Sequence, residues 1–338
     1  MLQIFDHLPR GLLEHEAHEL ADLLGRPTLI HLPGVRPEPL FCSVLLHGNE
    51  ISGWEALRTV LGRHRKRLLP RALSLFIGNV NAARYGCRRL DDQPDFNRVW
   101  RGGKLPEHAM AVRVIDAMRA RGPFASIDIH NNSGSNPHYA CVNTLDPEAL
   151  ELATMFNRQV VYFTEPNTVL ALAFSSFSPS ITIECGLPGD ADGIAQAVRL
   201  IETCLALDTF PDRVVPSTDI DLYHTAVRVR VHDEIRIGDD GEALDLRLQD
   251  NLDNLNFKTL PAGTILARVI TDQPRYLDVR DSEGNDRGAD YIALRDGCLV
   301  TARAVIPSML TRDARIIRQD CLCYFMEPYD APLPPTHA

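Results

Sequence analysis

The sequence predicts an α/β protein: a mixed, largely parallel sheet flanked by helices, followed by a smaller C-terminal β-domain. Three observations lead there. Short β-branched runs alternate with segments of helical period from Phe41 to Leu205, the pattern of strands joined by crossover helices. Beyond Pro211 the period changes, and Val227, Val229 and Val231 alternate with Arg228, Arg230 and His232, as in a half-exposed strand. The length, 338 residues, exceeds a comfortable single core. The expected boundaries are an α/β domain over 1–210, a β-domain over 211–327 and a loose tail over 328–338, where four prolines fall in eleven residues.

Phe41 to Leu46 reads as a buried strand, and Ile51, Trp54, Leu57 and Leu61 then recur at helical steps. Leu73 to Ile77 is a second strand ending in Gly78-Asn79. Pro106 to Ala120 returns to helical spacing through Met110, Val114, Ile115 and Met118. Ser126 to Ile129 is a third strand, closed by His130. Asp146 to Arg158 is a helix, with Asp146 suited to cap free amides and Pro147 to the first turn. Val160 to Phe163 and Ile181 to Ile183 are further strands, and Ile194, Val198, Ile201 and Leu205 mark another helix. In the second half, Thr264–Ile270, Tyr276–Val279, Tyr291–Leu294, Cys298–Val305 and Ile316–Phe325 read as strands. Turn chemistry at 281–285 and 295–297 separates some of them.

Composition excludes several function classes. A formal net charge of −10 argues against binding nucleic acid, which needs a basic face. No apolar run approaches the roughly 20 residues of a membrane span, and the N-terminus lacks a basic-then-apolar leader. The eight cysteines are scattered without a CxxC pair, so reduced thiols in a cytoplasm are expected. HEAHE at 15–19 lacks the HExxH spacing and reads as a solvated helix face. RHRKR at 63–67 reads as a basic helix end.

Ligands of open α/β sheets bind beyond the carboxyl ends of the strands, and here those ends are chemically loaded. His47 and Glu50 follow the first strand, Asn79 and Asn81 the second, His130 and Asn131 the third, and Glu184 follows Ile181 to Ile183. Two imidazoles and one carboxylate with an open position make a catalytic-zinc donor set, better matched to Zn²⁺ than to Mg²⁺ or Ca²⁺. Taken singly, each has a plainer reading, His47 as a hydrogen-bonded strand-end residue and Glu184 as an ion-pair partner. Asp128, two places before His130, points to the same side of its strand and is placed to orient the ring.

The motifs HGNE (47–50), GNVNAARYGCRR (78–89), DFNR (95–98), DIH (128–130) and TIECG (182–186) resemble, in that order, those of the succinylglutamate desuccinylase/aspartoacylase family, within the wider zinc-carboxypeptidase fold. A weaker echo, NLNFKTLPAGTIL (254–266), resembles that family's C-terminal β-domain. The resemblance implies one zinc ion per chain, held by His47, Glu50 and His130. It implies Glu184 as the general base that activates water and later protonates the leaving amine. It also implies an arginine, Arg88 or Arg89, that polarises the scissile carbonyl, and an Asn97–Arg98 pair that grips a substrate carboxylate. The implied activity is zinc-dependent hydrolysis of the amide in a small N-acyl amino acid or related compound, in the cytoplasm. Association into a homo-oligomer stays open. The alternatives are a metallocarboxypeptidase acting on peptides and a non-catalytic zinc- or metabolite-binding relative. Two family features are missing: Phe174 stands where an arginine precedes the catalytic glutamate, and the β-domain tyrosine has no counterpart in ARAVIPSML (302–310). Both departures point away from an aspartate or succinylglutamate substrate. The segment 131–143 supplies Asn131, Asn132, His138 and Tyr139 as candidate contacts to a less anionic one.

Overall fold

The computed structural model describes residues 2–238 and 244–333, so the last part of the tail expected to be loose, from Pro334, lies outside the described residues. The chain divides into two compact units. One comprises the chain up to Asn131 together with His138–Leu222; the other joins Asn132–Pro137 to Tyr223–Asp330.

The first unit contains strands β1 (Gln3–Phe5), β2 (Thr28–Leu32), β3 (Gly34–Val44), β4 (Leu69–Ile77), β5 (Ala125–His130), β6 (Tyr139–Val142), β7 (Gln159–Tyr162) and β8 (Ser180–Glu184). Their order across the sheet is β1-β2-β4-β3-β5-β8-β6-β7. All neighbours run parallel except β2 with β4 and β6 with β8. The helices are α1 (Leu20–Leu24), α2 (Ser52–Arg63), α3 (Val80–Ala83), α4 (Pro106–Arg119), α5 (Pro147–Phe156), α6 (Leu170–Phe174) and α7 (Ala191–Ala206). As expected from DP at 146–147, the Asp146 side chain accepts from Ala149 N at 3.0 Å. HEAHE forms only a 3₁₀ turn, Ala17–Glu19, leading into α1. Strands β1, β2 and β6 escape the period-based reading because they are short or lie in polar context.

Two apolar clusters sandwich this sheet. Trp54, Leu57 and Val60 of α2, Leu150 of α5 and Ile201 of α7 pack with Val44, Ile127 and Ile183 on one face. Met110, Val114 and Met118 of α4 pack with Phe41, Phe76 and Phe174 on the other. Each such fully buried side chain contributes about 1.5–3 kcal/mol, so helices cover both faces, as a parallel sheet requires. Strands β5 and β8 depart from the all-apolar rule for covered strands. Ile127, Ile129, Ile181 and Ile183 face the first cluster, while Asp128, His130, Thr182 and Glu184 alternate with them and are also buried. That buried polar row ends at the site.

His31 on β2 is buried, with Nδ1 2.8 Å from Ser74 Oγ. Burial pushes its pKa down from 6.5 to about 4, so protonation favours the unfolded chain. Its contribution to stability is therefore constant above pH 6.5 and is lost as pH falls from 6.5 towards 4. Denaturant unfolding across that window should show a shallower decline for His31→Gln than for the parent.

In the second unit, β9 (Asp221–Val231) pairs antiparallel with β13 (Leu277–Arg280) and with β17 (Cys323–Pro328), which in turn pairs with β16 (Ile306–Ser308). A separate sheet has the order β10 (Ile237–Gly238), β11 (Leu246–Leu248), β12 (Ile265–Val269), β15 (Cys298–Thr301) and β14 (Ile292–Arg295). Val227, Val229, Leu246, Leu266, Leu299 and Phe325 share its core. The strand expected over Ile316–Phe325 begins only at Cys323. A helix, Ala314–Gln319, precedes it, because Asp313 caps the Arg315 and Ile316 amides at 2.9 and 3.1 Å. A single well-placed cap outweighed the β preference of Ile316 and Ile317. No helix among the described residues is long and apolar enough to cross a membrane.

Candidate active site

HGNE lies in the loop between β3 and α2, and the backbone there is tightly specified. Gly78 N donates to Val44 O at 3.0 Å and Asn79 N to Leu45 O at 2.6 Å, tying the loop to the end of β4. Leu45 takes a positive φ of 56°, a conformation uncommon outside glycine. Gly48 packs on α3 so closely that a Cβ would sit 2.2 Å from Ala83 N. Gly48→Ala should therefore destabilise the fold by roughly 1–3 kcal/mol and misplace His47. A denaturant titration and a zinc-affinity measurement check the two effects separately.

His47, Glu50 and His130 come together as a buried group that could hold a metal ion, with one ligand atom from each within 4.8 Å of the others. His47 Nδ1 lies 2.8 Å from Glu50 Oε1, and His130 Nδ1 lies 2.6 Å from Glu50 Oε2. The opposite ring nitrogens face other carboxylates: His47 Nε2 is 3.0 Å from Asp95 Oδ1, and His130 Nε2 is 2.8 Å from Asp128 Oδ2. A carboxylate behind each imidazole fixes the ring and its tautomer, leaving Nδ1 as the donor towards a cation. The donor set, two nitrogens and a carboxylate, fits zinc.

The electrostatics follow from this crowding. Burial disfavours charge on Glu50, but His47 and His130 outweigh it and hold the carboxyl well below its ordinary range. Burial also opposes protonation of His130, yet Asp128 and Glu50 raise its pKa well above 6.5. Asp95, likewise buried, is held far down by the Arg88 guanidinium and His47. Glu184 behaves in the opposite way. It sits beside His130 in the parallel register of β5 and β8, and burial lifts its carboxyl to about 8.

The expected arginines separate clearly. Arg88 donates through Nε and Nη2 to Asp95 Oδ2 at 3.1 and 2.9 Å, and its Nη1 is 3.6 Å from Glu50 Oε1. Arg89 instead donates to Gln93 O at 2.9 Å and Leu90 O at 3.4 Å, closing its own loop. The geometry brings Arg88 to the His47–Glu50–His130 group and uses Arg89 as a loop brace.

Four side chains expected to contact substrate have partners within the protein. Asn97 Nδ2 lies 3.3 Å from His130 Nε2, and its side-chain oxygen accepts from Leu170 N at 2.9 Å. Asn131 has its side chain filled by backbone and Ser52 partners. His138 is held by Gln196 at 2.7 Å and Asp190 at 3.4 Å, at the start of α7. Arg98 donates to Asn97 O at 3.0 Å. Sequence reasoning missed Asp95 as a residue in its own right. It lies within DFNR, but 48 residues separate it from His47, and no local period links the two.

Residues 41–207 match the family described as the succinylglutamate desuccinylase/aspartoacylase catalytic domain. No curated protein matches the sequence. Solved structures share the fold at low identity. The succinylglutamate desuccinylase from Chromobacterium violaceum is 18% identical, with a TM-score of 0.57, covering 88% of this chain and 87% of its own. Murine aminoacylase 3 is 15% identical, with a TM-score of 0.56 and coverage of 87% and 96%. The product-bound ectoine utilization protein from Ruegeria pomeroyi is 16% identical, with a TM-score of 0.52 and coverage of 82% and 88%. Residues 41–207 are thus similar to the catalytic domain of the succinylglutamate desuccinylase/aspartoacylase family.

Proposed function

We propose that the protein is a zinc-dependent deacylase, with one zinc ion per chain, that hydrolyses the amide bond of a small N-acyl amino acid or related compound. The observation that carries this reading is the buried His47–Glu50–His130 group with Glu184 beside it in register. A mere metal binder has no need of a buried carboxyl next to its ligands.

When bound, the ion supplies Lewis acidity, which lowers the pKa of water from 15.7 to about 7. Glu184 then acts as the general base. It accepts the proton of the attacking water on a carboxylate oxygen and returns it to the departing nitrogen. Burial, with the Glu50 and Asp128 charges, keeps Glu184 protonated near neutrality, its pKa at about 8, so a working base needs a cation among the neighbouring ligands to offset that rise. Arg88, fixed by Asp95 close to Glu50, presents positive charge where the scissile carbonyl becomes an oxyanion. Arg98 pairs with the carboxylate of the amino-acid portion, for which a guanidinium offers two parallel donors.

Phe174 stands where the family resemblance leads one to expect a cation. It is fully buried in the core and stacks on Phe41, with ring centroids 4.4 Å apart, so it offers no charge to a succinyl carboxylate. The test is a panel of N-acetyl, N-formyl and N-succinyl amino acids, assayed with zinc-loaded and chelated protein. The expected result is zinc-dependent release from the acetyl or formyl substrates, with succinyl substrates poorer. Hydrolysis of C-terminal peptide bonds in place of these amides would favour a metallocarboxypeptidase. Stoichiometric zinc without turnover would favour a binding protein.

A further inference from the structure

We infer that Asn131 is a positioning residue that locks the three ligand- and base-bearing segments into one frame; this rests on the ligand assignment proposed above. The backbone amide of Asn131 donates to Glu50 Oε2 at 3.2 Å. Its side-chain oxygen accepts from Ser52 N at 3.1 Å. Its side-chain nitrogen donates to Ser52 Oγ at 2.9 Å, Gly186 O at 3.0 Å and Leu187 O at 3.3 Å. In sequence, Asn131 directly follows His130, Ser52 lies two places after Glu50, and Gly186 lies two places after Glu184. One buried amide thus holds all three chain segments, each within two residues of the group it must place.

The chemistry explains why asparagine stands there. Ser52 opens α2, and the first amides of a helix have no partner within it; the Asn131 oxygen supplies one from another element. Gly186 and Leu187 present carbonyls, which need a donor. A primary amide is the small side chain that offers an acceptor and two donors together. Aspartate would set a negative oxygen against two carbonyl oxygens, and alanine would leave Ser52 N and those carbonyls without their partner in a buried place. The Ser52 hydroxyl extends the same frame by accepting from Gly189 N at 3.2 Å, in the turn that follows Glu184.

The experiment compares the full-length parent with Asn131→Ala and Asn131→Asp. It measures zinc affinity by chelator competition, the melting temperature without metal, and kcat and KM at saturating zinc. Both variants should bind zinc about 10–100-fold more weakly, the usual effect of losing a group that orients ligands. With zinc restored, kcat should fall while KM stays near the parental value, because the base is displaced and substrate groups are not. Folded variants with parental zinc affinity and kcat would overturn the inference. So would a raised KM with zinc affinity intact, since that is the signature of a substrate contact. If neither variant folds, Ser52→Ala removes the bonds from Asn131 Nδ2 and Gly189 N to the Ser52 hydroxyl; weakened zinc binding supports the frame, and parental affinity overturns it. A parent that binds no zinc would instead remove the functional reading beneath.

Discussion

Glu184→Gln is expected to retain zinc at parental affinity while turnover falls by roughly 10²–10⁴. Glutamine keeps the volume and the hydrogen-bonding oxygen of glutamate but has no basic site for the proton of water. The fold should tolerate the change well. Glu184 is buried, its pKa raised to about 8 first by burial and then, against the opposing charge of His130, by Glu50 and Asp128. Near neutrality the metal-free carboxyl is already mostly protonated, so a neutral amide of the same shape changes little there and the melting temperature of the metal-free protein should hold. The measurements are kcat on the responsive N-acyl substrate, zinc by chelator competition, and a thermal melt. Activity within a few-fold of the parent would remove Glu184 from the mechanism, whatever the metal does.

Glu50→Ala should fail in the opposite way, by losing the metal. Both Glu50 oxygens are committed: one faces His47 Nδ1, while the other faces His130 Nδ1 and accepts from Asn131 N. Deleting the carboxylate removes a ligand and leaves two buried imidazoles and a backbone amide facing an empty volume. Breaking a buried charged pair costs about 3–5 kcal/mol; because His130 can shed its proton once Glu50 is gone, roughly 3 kcal/mol is expected. The prediction is no zinc retained after desalting, activity at background even with added zinc, and lowered stability of the metal-free protein by denaturant unfolding. Retained stoichiometric zinc would show that the ligand set is wrong. The pair of variants separates the two carboxylates, since one should keep the ion and lose the chemistry while the other loses both.

Much of this site could be read before any fold was known. Strand runs that break at His47, His130 and Glu184 announce themselves, because an apolar segment has no local reason to end in such groups. The three-residue step from His47 to Glu50 is short enough to close as a turn, and Glu50 N indeed donates to His47 O at 3.1 Å. Asp128 was legible for the same reason, as the period of a strand fixes which residues share its face.

What local pattern could not decide was which partner each polar group would find. Arg88 and Arg89 are adjacent and chemically identical, and only the path of the loop sends one to Asp95 and the other to Gln93 O. Composition points to Asn131 and His138 as substrate contacts, and the hydrogen bonds they make to Gly186 O and Gln196 are not visible in any local pattern. Asp95 becomes a partner of His47 only because the loop after β4 returns across the end of the sheet. Which polar residues sit at which strand ends was legible without the fold, since hydrophobic period and chain chemistry are local properties. Sheet order, register and loop return alone decided who faces whom, because they place residues 48 to 81 positions apart within about 3 Å of each other, and no local period encodes such contacts.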